Sequence, residues 1–596
     1  MCRRISIIFL ITSIFFIPSC KDVLEAPTQS SLDEQMIFTT PVLAEGAYTG
    51  IVRSFMETNA HNGRYLLYYG TNTDVELDNA SMKTYDSPEA TLCNYQTSPT
   101  NTLMNTSSNV WASMYGGIER ANLAIRAIHK YNNLTVNKEM AQLLGEILTI
   151  RAVMYLELIK GWGDVPARFD PITAETTNLP RSSKDIIYKQ LLADLAEAAD
   201  YLPWPNESVK TRSVERVSKS FAKGLRARVA LYAAGYSQWA DGTIHVSTDP
   251  DLTRQKMYAI AKNECLDIIN QKSQSLLTFE GFFHSFMEEN LDAGKESMWE
   301  IPFSSNRGRV MYAYAIPRAV ETTGVTDKYT DILHGGNLLL NPAMFYEYEK
   351  EDVRRDVTGV PYSWVDNKQV LSALNRIYLG KYRYEWMKRR PTGSTTDGMN
   401  WIYMRYSDIL LMAAEAINEL DGGGPAAAAP YLEMVRKRAY PNNPEKVTAY
   451  MTQVTANQRA FFEAIVKERA LEFAGEMLRK ADLIRWNLLK EKLEESRNKL
   501  EQLSGRKGAY SNLPKKVYAK YLSDNETLEI YGMNIGDTDT YGAANYTINK
   551  SWSLSKTNDG VYNYWEVLYL RNPNDQQNWP IWQTFIDNSN GALKNF

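Results

Sequence analysis

Apolar side chains recur every three or four positions over long stretches of this chain, the spacing that gathers them on one face of an α-helix. The pattern predicts helices over 42–56, 109–131, 138–160, 183–201, 218–236, 254–271, 403–420, 425–439 and 458–489. Thr40-Pro41 starts the first, because proline fits the opening turn of a helix. Gly161-Trp162-Gly163-Asp164-Val165-Pro166 stops the third with glycines and a proline where a helix cannot continue. The link Gly422-Gly423-Gly424-Pro425 is so short that its two helices are expected to be antiparallel neighbours. Such pairs at several points predict tetratricopeptide-like hairpins, although no clean period of about 34 residues runs through the chain.

The periodicity fails in three places. Residues 60–106 read as a long loop, and long loops in compact chains are usually functional or disordered. Residues 275–400 are rich in Gly, Asn and aromatics, with strands expected at 297–303 and 376–386. After 490 the chain is Tyr- and Asn-rich and irregular. The expected fold is therefore predominantly α. Residues 41–596 form one large domain: a helical scaffold (41–272 and 403–489), a loop-rich ligand-binding insertion with few short strands (275–400) and an irregular C-terminal region (490–596).

The first forty residues are different. Met1-Cys2-Arg3-Arg4 precedes an apolar run from Ile5 to Ile17, followed by Pro18-Ser19-Cys20-Lys21-Asp22. A basic start, a short apolar run and a small residue before the cut make residues 1–19 a secretory signal peptide. The run is shorter than the roughly 20 residues a membrane span needs. Cys20 then reads as the cysteine of a bacterial lipobox, whose thiol takes a diacylglycerol. Residues 20–40 read as a lipidated tether. Losing residues 1–19 removes Arg3 and Arg4 and takes the formal charge from −4 to −6. That mild negative balance argues against nucleic-acid binding, which needs a basic footprint.

Little points to catalysis. The five histidines lie far apart in sequence, without metal-ligand spacing. There is no phosphate-cradling loop or dinucleotide fingerprint, so no cofactor is expected. Gly235-Tyr236-Ser237-Gln238-Trp239 begins like a nucleophile elbow but lacks its second glycine. Arg405, Asp408, Met412, Glu415 and Glu419 fall on one helix face, opposite a buried face of Tyr406, Leu410, Ala413, Ala414 and Ile417. Asp408 and Glu415 lie about 10.5 Å apart along the helix, near the roughly 6.5–9.5 Å of an inverting glycosidase. Arg436 and Arg438 nearby make structural ion pairs the stronger expectation. Glu468, Glu472, Arg479, Asp482 and Arg485 read as a second such network, with Trp486 packed against it.

Four segments together resemble the SusD/RagB family of outer-membrane lipoproteins. Arg151-Ala152 through Tyr155 to Trp162-Gly163-Asp164-Val165-Pro166 is similar to the family's RA-x-x-Y helix with its GDVP stop. Ala222 to Tyr232 is similar to its A-x-L-A-R-V-x-L-Y helix, with Arg226 at a position more often apolar or small. Arg405-Tyr406-Ser407-Asp408 through Glu415-Ala416-Ile417-Asn418-Glu419 resembles RYAD-x-LLM-x-AEA-x-NE. Glu468-Arg469 through Arg479, Asp482-Leu483 and Arg485-Trp486 resembles the ER…R-x-x-DL-x-RW motif, with Met477 where the family has Gly and Gly475 two residues earlier. The resemblance implies a surface lipoprotein that captures a glycan, or in some members a peptide, for a SusC-like TonB-dependent outer-membrane transporter. A surface glycoside hydrolase and a ligand-free structural adaptor are the rival expectations.

Sugar capture needs aromatic faces for the C–H-rich side of the ring and polar groups for its hydroxyls. The chain has 37 Tyr, 13 Trp and 18 Phe, enough to furnish both core and surface. Aromatics in non-periodic stretches are the candidates. They are Tyr65, Tyr68 and Tyr69 with Asn72 and Asp74; Tyr312 and Tyr314 beside Arg307 and Arg309; and Trp364. The basic aromatic stretch 381–390 reads as a solvated strand edge or a contact for an acidic glycan.

Overall fold

The structure is a computed structural model that describes residues 33–57, 60–82, 84–305 and 307–595. Cys20, the signal peptide and the first part of the expected tether lie outside the described residues. The end of that tether is a helix, Glu34–Thr39, capped by Asp33 and docked by Glu34 against Arg126 at 2.7 Å.

The fold is predominantly α. Val110–Tyr131, Lys138–Trp162, Lys184–Tyr201, Lys219–Ala233, Arg254–Gln271 and Tyr406–Glu419 form one continuous row in which each helix packs on the next. Pro425–Ala439 and Gln458–Phe473 close the row against Tyr406–Glu419. The N-terminal signals are those expected: Asn109, Asn137 and Asn457 each accept a backbone N–H of the first turn. Lys138–Trp162 runs through the centre and is buried on nearly every side. Its charged groups survive there because each is paired: Arg151 with Asp194 at 2.7 Å, Glu146 with Arg216 at 2.8 Å, and Glu157 with Lys160 at 2.9 Å.

The expected 458–489 helix is two helices. Gln458–Phe473 stops, and Arg479–Arg485 is a separate helix. Gly475 (φ +87°) and Met477 (φ +59°) lie in the left-handed region between them, so the break falls where the motif's displaced glycine placed it. Two predicted loops also contain structure. Residues 60–106 hold the helices Tyr65–Gly70 and Pro88–Cys93 and the strand Glu76–Asp78. Beyond 488 comes a 17-residue helix, Leu489–Gly505, and a small sheet.

The ion-pair partners differ from those expected. Asp408 meets Arg228 and Arg469, and Glu415 meets Arg485 and Trp486. Arg436 pairs instead with Glu468 at 3.0 Å, and Arg438 with Glu296 at 2.6 Å and with Glu472. The Tyr406–Glu419 helix is enclosed on all sides, so its charged face turns to buried arginines of other segments rather than to water.

The loop-rich region leaves and re-enters the scaffold at one place. Ser297–Ile301 pairs antiparallel with Trp401–Arg405, and Arg405 Nη1 lies 2.8 Å from Glu296. Between those ends, Leu338–Leu340 is paired on one side with Glu76–Asp78 and on the other with Ile377–Leu379. Arg354 is wholly buried and bonds Asp352, Glu468 and Glu472.

Candidate functional site

Most of the predicted contact residues are interior. Tyr65, Tyr68 and Tyr69 belong to the buried Tyr65–Gly70 helix. The Tyr65 ring stacks on Trp162 at 5° and on Tyr69 at 18°, and its hydroxyl donates to the Glu157 carbonyl at 2.7 Å. Trp579 meets both tyrosines edge-on, so these rings fasten the C-terminal segment to the scaffold. Asn72 is buried and accepts from the Asp78 amide at 3.1 Å. Tyr314 packs against both Tyr382 and Trp401, which stack on each other, and Trp364 is buried under Arg318. Asp74 is half-buried in a bidentate pair with Arg479 at 2.8 and 2.6 Å. In the basic stretch, Lys381 is buried against Glu476 at 2.7 Å rather than solvated.

Tyr312 keeps surface. His334 stacks on it at 3.9 Å and 7°, with its Nδ1 donating to the Tyr312 carbonyl at 2.9 Å. The Arg309 guanidinium lies 4.4 Å from the same ring. The carboxylate of Asp397 ties this turn to its neighbourhood: it accepts from the Met311 amide at 2.8 Å and the Met399 amide at 3.1 Å. Burial pushes the Asp397 carboxyl up to about 7.

Met399 is also a wall of an adjoining cleft of about 310 Å³. Phe286, Phe303 and Met399 give the cleft apolar surface; Glu215, Glu300 and Asn400 give it polar groups. The Asn400 amide is shared, donating at 3.1 Å to both Glu215 and Glu300, while its carbonyl accepts the Phe303 amide at 2.8 Å. Ser297 donates to the other Glu300 oxygen at 2.8 Å. Burial drives the Glu300 carboxyl up to about 7. Arg389, paired with Glu289 at 2.6 Å, forms part of the rim. The helix that supplies Phe286 also carries His284, against which Trp386 is tilted at 5.4 Å. Apolar walls with a few convergent polar groups are the usual make-up of a ligand site.

A second cleft, of about 230 Å³, lies between Gln458–Phe473 and Leu489–Gly505. Its cations are already neutralised by neighbours: Lys467 and Lys499 by Glu347 at 3.2 and 2.8 Å, and Arg479 by Asp74. It offers one aromatic ring, Phe462, and is the poorer site for a sugar face.

Glu215, Phe286, Glu300, Phe303 and Asn400 were not singled out from sequence. They are scattered over nearly two hundred positions, and only strand pairing brings Glu300 opposite Ile402, close to Asn400.

Comparison with known proteins places the chain. The model described as "SusD family" matches residues 306–596, and the one described as "Starch-binding associating with outer membrane" matches residues 34–231. SusD-like protein P25 of Formosa agariphila is 24% identical over 523 residues, covering 81% of this chain and 89% of that protein. A SusD homolog from Bacteroides thetaiotaomicron superimposes with a TM-score of 0.65 at 20% identity, over 81% of this chain and 92% of the other. Surface glycan-binding protein A from Bacteroides thetaiotaomicron, solved in complex with laminarihexaose, superimposes with a TM-score of 0.58 at 18% identity, over 93% and 99%. Two family models covering successive parts of the chain, four motifs in order and a shared fold agree: the chain belongs to the SusD/RagB family.

Proposed function

We propose that this protein binds a glycan at the outer-membrane surface and delivers it to a SusC-like TonB-dependent transporter, held there by a lipid on Cys20. The observation that carries the reading is the half-exposed Tyr312 turn, fixed by Asp397 to the wall of the Phe286–Phe303–Met399 cleft. A part-exposed Tyr312 edge, near a cleft whose own walls are Phe286 and Phe303 with carboxylate and amide groups, offers a sugar apolar contact and hydroxyl partners together. The relative solved with laminarihexaose and the outer-membrane family model support the ligand class and the location. A peptide is the alternative cargo.

Titrating the full chain with laminarihexaose and a panel of neutral oligosaccharides tests this. Tyr312→Ala removes the apolar contact that the part-exposed ring edge offers, worth about 1–1.5 kcal/mol. Affinity should fall about tenfold. Unchanged affinity would move the site elsewhere.

One observation favours a hydrolase as second reading: Glu300, with its raised carboxyl, shares the Asn400 amide with Glu215 inside the cleft. Paired carboxylates are what glycoside hydrolysis uses. New reducing ends after incubating the pure protein with the panel would establish that reading; their absence leaves capture.

A further inference from the structure

We propose that the small C-terminal sheet carries a second carbohydrate-binding surface, built on Tyr531, Tyr541 and Tyr546 and shaped for a neutral oligosaccharide chain. The proposal rests on the glycan-binding reading but uses none of the residues assigned to it.

Strand Lys516–Tyr521 is central, flanked by Leu528–Tyr531 and Ile548–Ser551. The register sets Tyr518 opposite both Tyr531 and Asn549, and Lys520 opposite Glu529. Side chains alternate along a strand, so these five groups share one face. The helix Asp539–Asn545 covers the middle of that face. Gly542 rests on the Tyr518 ring, where a Cβ would come within 2.3 Å of a ring carbon. Tyr518 is held there by its hydroxyl, which donates to Asp539 at 3.0 Å.

This close approach seats two further tyrosines beside Tyr531. Tyr541 lies 5.0 Å from it, and Tyr546 lies 5.5 Å away and nearly parallel, at 14°. Polar contacts fix the rings. Tyr546 donates to Glu529 at 3.0 Å, and the Tyr531 hydroxyl accepts the Thr538 amide at 2.9 Å. The Lys520 ammonium lies 5.0 Å from the Tyr546 ring and 3.3 Å from Glu529. Tyr541 is 53% exposed, and its hydroxyl has no partner among the described residues.

Three ordered rings at the surface expose apolar area that the core does not use, and such a patch marks an interaction site. Its occupant follows from what surrounds it. Lys520, the cation lying against the rings, is already paired with Glu529, so it is not free to attract an acidic glycan. Exposed Asn545 and Asn549 border the rings with amide groups that both donate and accept, as sugar hydroxyls require. Tyr and Trp faces meet sugar rings through their C–H side.

The test is calorimetric titration of the full chain with laminarihexaose and other neutral hexasaccharides, using Tyr541→Ala/Tyr546→Ala and, separately, Tyr312→Ala. The wild type should bind two equivalents and the double variant one, with its melting temperature nearly unchanged. Immobilised polysaccharide should retain the double variant less than the wild type, because two sites on one chain act together. A double variant that keeps the wild-type stoichiometry and retention overturns the proposal and leaves the Tyr312 cleft standing. Binding that survives Tyr312→Ala but fails in the double variant upholds the proposal and overturns the cleft. If none of the sugars binds the wild type, both fall. Tyr546→Phe, which keeps the ring, should keep two equivalents; losing one would overturn stacking as the mechanism.

Discussion

Arg485 and Glu415, seventy residues apart, face each other inside the protein, with Arg485 Nη2 2.8 Å from one carboxylate oxygen and the second N–H group on the other. Trp486 donates to the same carboxylate at 3.0 Å. Removing Glu415 leaves the buried Arg485 guanidinium with Asp482 alone, at 2.9 Å, and the Trp486 N–H without its acceptor, at a cost of up to about 3–5 kcal/mol. Glu415→Ala should therefore lower the denaturant midpoint strongly. Its neighbour Asp408, held well below the ordinary carboxyl range by Arg469 and Arg228 despite its burial, extends the argument to acid. A depressed folded-state value contributes stability that is present above the unfolded value and is lost as pH falls through the acid range. Asp408→Asn should flatten the acid side of the stability profile, measured by urea titration from pH 6 downward.

Tyr65 and Tyr312 should behave in opposite ways. Tyr65→Ala opens a cavity among Trp162, Tyr69 and Trp579, a change worth about 3–5 kcal/mol for a large core ring. Tyr312→Ala, at the surface, should leave the melting temperature within a degree or two and act on sugar affinity. Thermal scans beside binding isotherms separate the two.

Glu300 gives a pH signature of the cleft. Its carboxyl is raised from 4.5 to about 7 by burial. The stability it contributes is complete below about 4.5 and is lost as pH rises towards 7. Glu300→Gln keeps the shape and cannot ionise. The variant should be more stable than wild type at pH 8, and the gap should close at pH 5. Parallel denaturation curves at both pH values with a constant gap would remove the titration from the account.

Gly542→Ala probes the close approach of helix and sheet. The added methyl meets the Tyr518 ring and must push the helix away, at roughly 1–3 kcal/mol. The expected local effect is faster amide exchange in 528–531 and 548–551, with the helical row unaffected.

Cys20→Ala tests the membrane attachment. Palmitate labelling should disappear and the protein should leave the membrane fraction, since no described helix is long and apolar enough to cross a bilayer.

The helical row was legible because its amphipathic spacing is local. Arg254–Gln271 and Pro425–Ala439 have the bounds that periodicity predicts. The Tyr65–Gly70 helix was not legible, because all six residues are buried and no polar face gives the period away. Leu489–Gly505 did carry a signal: Leu489, Leu493, Ser496, Leu500 and Leu503 are the buried stripe, in a region read as Tyr- and Asn-rich and irregular. The sites were the least legible. Aromatic content marked Tyr312 and Tyr65 alike, and only tertiary packing distinguishes a ring in a core from a ring at a cleft. The Tyr531–Tyr541–Tyr546 group depends on strand register and on one glycine, neither of which has a hydrophobic period.

The pairing of Ser297–Ile301 with Trp401–Arg405 has a consequence for how much change in length the insertion tolerates. The intervening chain starts and finishes at the same doorway, and its interior is pinned at Leu338–Leu340 and at Arg354. Lengthening a loop whose ends already meet costs little, about 0.6 kcal/mol per doubling. The exposed stretches within 302–337 and 384–400 can thus change in length at little entropic cost, provided the rings they send inward, such as Tyr314 and Tyr384, keep their places in the core.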